Sequence, residues 1–337
     1  MRALEVREPF GIASLTFVDR PEPDPRAGEV VLRMRALSLN YRDLLVVDGV
    51  NRWRPPVPRV PVSDGVGEVV ALGEGVTRVR VGDRVAPIFY PGWHDGGPAT
   101  EKMQTSLGGA AADGVYAEYV TAHESSVVAV PDALSDIEAA TLPCAGVTAW
   151  NGVAEGSRVR PGDTVVVLGT GGVSLFAMQF ARLHGARVIV TSSSDEKLER
   201  ARALGAADGV NYRTTPDWPA RVHELTGGRG ADLVVDTVGR LSEPIAAVRV
   251  GGAIAFIGLL TGLQSDIDLV TLMGKSARIQ AIDVGSRAMF ETMNRAIDTG
   301  GVRPVIDRVF GFDDARDAFA HLASRTHFGK VCVTIGA

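Results

Sequence analysis

The chain has 337 residues, of which 45% are hydrophobic and 22% charged, and its formal net charge at pH 7 is -5. This is the mixture of an ordinary globular protein of one or two domains. Charges of both signs are interspersed, so no basic block could neutralise nucleic-acid phosphates or an anionic membrane.

Two further features narrow the class of protein. Two cysteines are too few for a disulfide framework or a multi-cysteine zinc cluster. The start, MRALEVREPF, has charges where a signal peptide needs an apolar core, and the apolar stretch GGAIAFIGLLTGL is short for a membrane span. We therefore expect a cytoplasmic protein that acts on a small molecule and has neither a nucleic-acid nor a membrane partner.

The chain up to about Val130 is predicted to be rich in strands. Gly, Pro and Asp turns separate short apolar runs, namely EVVLRMRALSL, GVGEVVALGEGV, RVGDRVAPIF and VYAEYVTA. The segment PDALSDIEAATLP then combines an Asp or Ser helix start with a proline stop, which predicts a helix.

Strands and helices alternate from Gly162 onward. The predicted strands are DTVVVLG, ARVIVTS, ADGVNY, ADLVVDTVG, GGAIAFIG and ARIQAIDVG, with VSLFAMQFARLHG and DEKLERARALG as the first helices between them. This alternation predicts an α/β fold with a parallel, doubly wound sheet and right-handed crossovers. After Gly285 the pattern predicts a helix, a strand, a second helix and a last strand, GKVCVTI.

A glycine-rich turn joins the strand DTVVVLG to the next helix, which is the context of a dinucleotide-binding fingerprint. The residues of the turn are Gly169, Thr170, Gly171, Gly172 and Val173. Gly169 is expected to make the tight turn, Gly171 to let the backbone approach a pyrophosphate, and Gly172 to donate from the helix N-terminus. Ser174 takes the third glycine position. An ordinary strand-to-helix turn is the alternative interpretation.

The end of the second strand of this alternating region distinguishes the two nicotinamide cofactors. NAD sites usually carry Asp or Glu there, on the ribose 2′-hydroxyl. This chain instead has Ser192 and Ser193, followed by Lys197 on the helix. Hydroxyls and a lysine suit a 2′-phosphate, which a carboxylate would repel, so the expected cofactor is NADP(H). Helix capping is the alternative role for Ser194 or Asp195.

The chain resembles the medium-chain dehydrogenase/reductase superfamily over nearly its full length. The motifs that carry the resemblance are AGEVVLRMRALSLNYRDLL, VPVSDGVGEVVALGEGVTRVRVGDRV, GVYAEYV, LPCAGVTAW, LGTGGVS and HFGKVCVTI. The chain is similar to zinc-free alcohol dehydrogenase-like members, to quinone oxidoreductases and to polyketide enoyl reductases. The resemblance implies a GroES-like catalytic domain from residues 1–125 and 286–337, a Rossmann domain from residues 126–285, an active site in the cleft and a homodimer.

The resemblance also implies that the family's zinc site is missing. Zinc members bind the catalytic metal through a Cys, the His of a GHE motif and a later Cys. The matching positions here are Asn40, Ser63 and Cys144, and the Glu of the motif is Asp64. A catalytic zinc needs about three protein ligands, so no metal is expected. Cys144 is then predicted to be an unmetallated thiol with a packing role near the nicotinamide.

The segment NYRD holds candidates for chemistry without a metal. Asn40 is placed to donate a hydrogen bond to the oxyanion that develops during hydride transfer. Outside this segment, Asp64 is a further candidate catalytic residue. Tyr41 or Arg42 could supply a proton or a positive charge. The alternative is a structural helix start in which Arg42 and Asp43 form an ion pair.

A second candidate segment is YPGWHDGG, a Gly-rich loop that could close over a substrate. Trp93 is expected to line the pocket. An imidazole titrates near neutrality, so His94 is a candidate for proton transfer. An exposed loop histidine beside a capping Asp95 is the alternative.

The resemblance implies further contacts to the cofactor. Thr148 would lie near the nicotinamide, Tyr212 near the adenosine or its phosphate, and the backbone at Gly258 beside the ring. Phe328 and Lys330 would reach the pyrophosphate side, and core packing is the alternative for Phe328.

These features predict a zinc-independent, NADPH-dependent oxidoreductase that transfers hydride to an activated C=C or carbonyl group of a quinone, enone, aldehyde or ketone. One alternative is a zinc alcohol dehydrogenase with the atypical ligands Asp64, His94 and Cys144. The other is a catalytically inactive NADPH-binding sensor or structural protein.

Overall fold

The computed structural model describes residues 1–336. Its strands are β1 (Arg2–Glu5), β2 (Thr16–Asp19), β3 (Glu29–Leu39), β4 (Asp64–Leu72), β5 (Arg84–Pro87), β6 (Tyr119–His123), β7 (Val127–Ala129), β8 (Thr164–Leu168), β9 (Arg187–Ser192), β10 (Asp208–Asn211), β11 (Ala231–Asp236), β12 (Val248–Phe256), β13 (Arg278–Ala281), β14 (Ile306–Gly311) and β15 (Lys330–Thr334).

The helices are α1 (Tyr41–Val47), α2 (Thr100–Met103), α3 (Asp136–Ala139), α4 (Val147–Trp150), α5 (Gly172–Leu183), α6 (Asp195–Ala203), α7 (Trp218–Leu225), α8 (Ser242–Ala247), α9 (Leu269–Lys275), α10 (Arg287–Gly300) and α11 (Ala315–Ala323). Two π-helical turns, Leu142–Gly146 and Asn151–Gly156, lie on either side of α4. In the part of the chain that is described, no helix has both the length and the apolar character needed to cross a membrane.

The chain divides into two compact units. The central unit is Thr148–Val284, and the flanking unit consists of the described residues on both sides of it. The sequence placed these boundaries at 125/126 and 285/286. Residues 126–147 belong instead to the flanking unit, because β7 pairs with β5 in that unit's sheet.

The flanking unit is built on a mainly antiparallel sheet with the strand order β14-β15-β3-β4-β5-β7. The long strand β3 pairs with β15, β4 and β6, and its side chains are largely buried. Strands β1 and β2 form a separate antiparallel pair. The strand-rich character predicted for this region is confirmed, and β3 ends at Leu39, directly before the NYRD segment.

The central unit confirms the predicted doubly wound α/β fold. Its strands are all parallel and follow the order β10-β9-β8-β11-β12-β13. This is the Rossmann order, in which the direction of winding reverses between β8 and β11. Strands β8 and β11 are buried along their whole length, as their apolar runs predicted. The glycine-rich turn therefore lies at the carboxyl end of a strand beside the switch point.

The helix predicted from PDALSDIEAATLP is shorter than its apolar pattern suggests. Ser135 caps α3 by accepting a hydrogen bond from the Glu138 N–H, but the α-helix ends at Ala139. The chain then continues through the π-helical turn Leu142–Gly146, which contains Pro143. The proline stop thus changes the helix type instead of ending the helical path.

Candidate active site

Asn40 lies where strand β3 ends and helix α1 begins. Its backbone N–H donates to Asp43 Oδ2 at 2.8 Å, and the Asp43 N–H donates to the Asn40 carbonyl at 2.9 Å. The Asp43 carboxylate therefore binds the backbone at the first turn of the helix, as in a capping box. The Asn40 side chain is left for other partners, and the residue is only 8% exposed.

Lys330 holds the Asn40 amide in one orientation. Its Nζ donates to Asn40 Oδ1 and to the Leu39 carbonyl oxygen, both at 2.6 Å, and the residue is 4% exposed. The antiparallel pairing of β15 with β3 matches Val331 with Leu39 and so brings the lysine beside Asn40. An ammonium group only donates, so the amide oxygen must face it and the amide nitrogen must face away.

The Nδ2 group of Asn40 is shielded from solvent and makes no hydrogen bond of normal geometry within residues 1–336. The amide also faces the Asp64 carboxylate, and this side-chain contact lowers the pKa of that carboxyl. A buried N–H group with no partner costs roughly 1–3 kcal/mol. An amide nitrogen carries two N–H groups, so Asn40 Nδ2 can face Asp64 with one of them and offer the other to a further oxygen acceptor.

Asp64 is fully buried, and both of its carboxylate oxygens are engaged. Oδ1 accepts from Ser63 Oγ at 2.7 Å, and Oδ2 accepts from the backbone N–H of Cys144 at 3.0 Å. Burial raises the pKa of Asp64 to about 6, although the Lys330 ammonium and the Ser63 hydroxyl oppose the rise. Asp64 thus anchors the π-helical turn to the start of β4.

Cys144 contributes its backbone to this cluster. Burial, followed by the negative charge of Asp64, raises the pKa of the Cys144 thiol well above its usual range. The side chain is therefore a neutral thiol at pH 7, which is a weak nucleophile. This protonation state suits the packing role that the sequence predicts.

The side chains at the family's zinc-ligand positions do not form a metal-binding set. They are those of Asn40, Ser63 and Cys144, and the Asn40 oxygen already binds an ammonium group. Nowhere in the described chain are three His, Cys, Asp or Glu side chains grouped to hold a metal ion. The alternative ligand set of Asp64, His94 and Cys144 is therefore not assembled.

Arg42 connects helix α1 to a neighbouring loop. Its Nη1 donates to the Leu107 carbonyl at 2.7 Å and lies 3.3 Å from Asp43 Oδ1, and its Nη2 donates to Ser106 Oγ at 3.1 Å. The ion pair with Asp43 is the structural alternative that the sequence left open. Tyr41 is half-buried, and its hydroxyl makes no hydrogen bond within residues 1–336. Tyr41 thus has an uncommitted hydroxyl, whereas both terminal nitrogens of Arg42 are engaged.

Trp93 and His94 lie on a loop that is docked within the flanking unit. Trp93 is 2% exposed, and its Nε1 donates to a backbone carbonyl in the loop. His94 Nε2 lies 3.1 Å from Ser125 Oγ, which also lies 2.7 Å from His123 Nδ1. The carbonyls of Trp93 and His94 accept from N–H groups at the start of α10. The sequence predicted a pocket-lining Trp93 and offered His94 as a candidate for proton transfer, but it did not indicate these contacts.

The glycine-rich turn of the central unit leaves space where the sequence predicts a phosphate. Gly169 has φ of +79°, in the left-handed region that favours glycine. A Cβ atom placed on Gly171 would meet no atom within 4 Å. Gly172 and Val173 follow in the first turn of α5, whose backbone N–H groups and helix dipole attract anions, while Thr170 is buried.

Ser174 ties helix α5 to strand β8. Its Oγ donates to the Leu168 carbonyl at 2.8 Å, and it lies 3.2 Å from the hydroxyl of Thr237. The residue at the third glycine position is therefore fully buried and bonded to the strand. This close helix–strand packing is what the third glycine provides in the usual fingerprint.

The polar residues after β9 divide into those that cap a helix and those that do not. Ser194 caps α6 by accepting from the Lys197 N–H, and Ser192 Oγ accepts from the Ser194 N–H, both at 3.3 Å. Asp195 accepts from a neighbouring asparagine on the next strand. The hydroxyl of Ser193, which is half-buried, makes no hydrogen bond within the described chain. The capping alternative therefore applies to Ser194.

The remaining predicted cofactor contacts lie in varied surroundings. Thr148 is buried in α4, and Tyr212 is 43% exposed just after β10. A Cβ atom on Gly258 would lie 1.7 Å from the Thr237 carbonyl, so only glycine fits there. Phe328 is buried, in agreement with the packing alternative.

Lys330 has partners in the structure that differ from those that the family resemblance implies. The resemblance placed it on the pyrophosphate side of the cofactor, whereas its ammonium is bound within the flanking unit by Leu39 and Asn40. The sequence contained one indication of this burial, because Lys330 is the first residue of the otherwise largely apolar strand β15. A charge at such a position is buried only when specific partners receive it.

Comparison with known proteins identifies related domains in both units. Residues 26–132 match the family described as the alcohol dehydrogenase GroES-like domain, and residues 172–299 match the family described as zinc-binding dehydrogenase. The chain is 41% identical over 316 residues to a zinc-type alcohol dehydrogenase-like protein of Schizosaccharomyces pombe, covering 91% of each chain.

Two solved structures extend the similarity to the whole fold. An NAD-dependent alcohol dehydrogenase is 37% identical, with full coverage of both chains and a TM-score of 0.90. A mycobacterial protein in complex with NADPH is 28% identical, with 99% coverage of both chains and a TM-score of 0.82.

Proposed function

This chain belongs to the medium-chain dehydrogenase/reductase superfamily as an alcohol dehydrogenase-like oxidoreductase that uses a nicotinamide cofactor, and from that premise we propose that it is a zinc-independent, NADPH-preferring reductase of activated C=C or C=O bonds. Its substrates are quinones, enones, aldehydes or ketones. One observation carries the proposal: Asn40, at a position where zinc members have a ligand, is a buried amide whose oxygen is bound by Lys330 and whose Nδ2 makes no hydrogen bond of normal geometry within residues 1–336.

The central unit supplies the residues that fit the cofactor. The open space at Gly171 and the first-turn N–H groups of α5 suit a pyrophosphate. Ser193 and Lys197 suit a 2′-phosphate, and the nearby Asp195 is already bonded to a neighbouring strand. When bound, NADPH supplies the hydride. A related structure contains NADPH and another relative is NAD-dependent, so the preference for NADPH rests on these side chains.

The flanking unit supplies the group that stabilises charge on the substrate. As hydride adds to carbon, negative charge develops on the substrate oxygen, and a fixed N–H donor aimed at that atom lowers the barrier. Asn40 Nδ2 is this donor in our proposal. The Tyr41 hydroxyl, which has no internal partner among the described residues, is the candidate proton donor.

Zinc independence is supported by the chemistry of the side chains. Zinc prefers thiolate, imidazole and carboxylate ligands. Here Asn40 and Ser63 stand at two of the three ligand positions, and the Lys330 ammonium takes the Asn40 oxygen. A second cation beside that ammonium would be repelled.

The test combines a substrate panel with metal analysis. Protein treated with a chelator is mixed with NADPH and a set of quinones, enones, aldehydes and ketones, and oxidation is followed at 340 nm. We expect turnover of at least one class, unchanged by added zinc and with substoichiometric metal in the active protein. A requirement for one tightly bound zinc per chain would disprove zinc independence. NADPH binding without turnover of any compound would instead indicate the sensor alternative.

A further inference from the structure

Lys330 is buried among charged groups but bonds to none of the carboxylates. Asp43 binds the Asn40 backbone and Arg42, and Asp64 binds Ser63 and the backbone of Cys144. The Lys330 ammonium instead donates to two neutral oxygens, both at 2.6 Å. Burying an ammonium costs several kcal/mol in free energy unless specific contacts offset it. A purely packing role would be met by an apolar side chain such as methionine.

We propose that Lys330 is a positioning residue that acts through Asn40, fixing the amide so that Nδ2 donates to the substrate oxygen and placing a positive charge directly behind it. This inference rests on the proposed function of the same site. It assigns to Lys330 a role different from contact with the cofactor pyrophosphate, and the two roles predict different kinetic effects.

The physical reason is the near-symmetry of the amide group. The oxygen and the NH2 group of asparagine are almost the same size, so packing alone hardly distinguishes the two orientations. A lysine donor accepts only one of them. The reversed amide would turn an acceptor toward the developing oxyanion and repel it. A cation one hydrogen bond away also polarises the amide and strengthens its N–H as a donor.

A double-mutant cycle tests whether Lys330 acts through Asn40. The variants are Lys330→Met, Asn40→Ala and the double variant, assayed with NADPH and whichever quinone, enone or carbonyl compound the wild type reduces fastest. We expect Lys330→Met to lower kcat about 30-fold and to leave the NADPH dissociation constant within about twofold. In the Asn40→Ala background the same substitution should change kcat less than about twofold, because the partner is gone.

Two outcomes of the cycle would overturn the inference. Multiplicative effects on kcat would mean that Lys330 acts independently of Asn40. A large rise in the NADPH dissociation constant in Lys330→Met would restore the pyrophosphate role. Lys275→Met is the control, since the Lys275 side chain is partly buried and its ammonium, like that of Lys330, donates to a backbone carbonyl, here that of Val248. We expect it to leave kcat unchanged.

Conservative variants keep the test valid if Lys330→Met folds poorly. Lys330→Arg retains charge and donors, and Lys330→Gln retains a donor without charge. Thermal melting identifies the folded variants. Among these, kcat should decrease in the order wild type, Arg, Gln. Equal kcat values for wild type and Lys330→Gln would exclude the charge as part of the role.

A second readout needs no substrate. The chain has five asparagines, at positions 40, 51, 151, 211 and 294, so selective 15N-asparagine labelling produces five side-chain amide pairs. The Asn40 pair is assigned by its loss in Asn40→Ala. In Lys330→Met its chemical shifts should move and its hydrogen exchange should accelerate, whereas Lys330→Arg should preserve both.

The amide readout also separates the two proposals. An unperturbed Asn40 pair in Lys330→Met would disprove the positioning role even if the enzyme proves to be the predicted reductase. A shifted pair in a protein that reduces no compound would leave the positioning role intact and disprove the proposed reaction.

Discussion

The two candidate binding regions of this molecule are built in opposite ways. In the flanking unit, Asn40, Asp64 and Lys330 are buried polar side chains joined in one cluster. In the central unit, the turn offers open space at Gly171 and the backbone N–H groups of the first turn of α5. The first region specifies its ligand through fixed dipoles and charges, which need no reorganisation when charge develops. The second depends on the absence of a side chain at Gly171. Substitutions in the first region should therefore lower kcat, whereas a substitution at Gly171 should weaken NADPH binding.

Filling the glycine turn should have the largest effect. Gly171→Val places a side chain in space that is open in the fold, so the protein should remain stable. The side chain would occupy the phosphate position, and we expect the NADPH dissociation constant to rise about a thousandfold, or about 4 kcal/mol. Fluorescence titration measures this. Gly274→Val, also at a site with open space, should bind NADPH normally. Unchanged affinity in Gly171→Val would place the pyrophosphate elsewhere.

Burial of Asp64 should make the free energy of unfolding depend on pH. The pKa of Asp64 is raised to about 6 in the folded protein, above its unfolded value. Its protonated form therefore stabilises the fold at low pH, and this contribution is lost as pH rises through 6. The contribution corresponds to about 3 kcal/mol.

The measurement is urea unfolding of the wild type and Asp64→Asn between pH 4 and pH 7. The free energy of unfolding of the wild type should fall relative to that of the variant by about 2 kcal/mol over this range, because part of the contribution is already lost at pH 4. A constant difference would mean that the cluster is well solvated. Asp266→Asn, at an exposed position, should show no such trend.

Removing the proposed donor should affect the chemical step alone. Asn40→Ala is expected to lower kcat about 100-fold, with little change in the NADPH dissociation constant. Asn40→Asp should be at least as impaired, because a carboxylate cannot donate and would repel the oxyanion. Stopped-flow measurement of NADPH oxidation isolates the step. An effect confined to cofactor affinity would contradict the division of roles between the two units.

A smaller effect is expected at the end of β9. Lys197→Ala should reduce the preference for NADPH over NADH, measured as the ratio of kcat/KM values, about tenfold, or about 1.4 kcal/mol. Lys102→Ala controls for the loss of a positive charge. If the ratio is unchanged, or if NADH is preferred by the wild type, the argument from the 2′-phosphate is wrong.

The smallest effect should come from the cysteine at the π-helical turn. Cys144 contributes its backbone N–H to Asp64, and its thiol is neutral. Cys144→Ser should therefore keep kcat within about threefold of the wild type. A loss comparable to that of Asn40→Ala, with NADPH binding intact, would indicate that the sulfur is a nucleophile or a metal ligand.

Much of the central unit could be predicted because its signals are local. Runs of β-branched residues such as those of β8 and β11 mark buried strands, and Ser194 is recognisable as a helix cap from its own neighbourhood. The boundary of the units at Val147 was not predictable in this way. It depends on the pairing of β7 with β5, and strand partners distant in sequence leave no local trace.

The sequence by itself determined the doubly wound order of elements and the glycine turn at Gly169 and Gly171, and its family resemblance implied that Asn40 and Ser63 stand at zinc-ligand positions. Each of these is a property of residue identity at a known place in the chain. Only the tertiary structure decided that Lys330 binds Asn40, 290 positions away, and that burial moves the pKa of Asp64 to about 6. Strand register and burial are collective properties of the folded chain, so the orientation of one amide and the charge of one carboxyl are settled only when β15 pairs with β3.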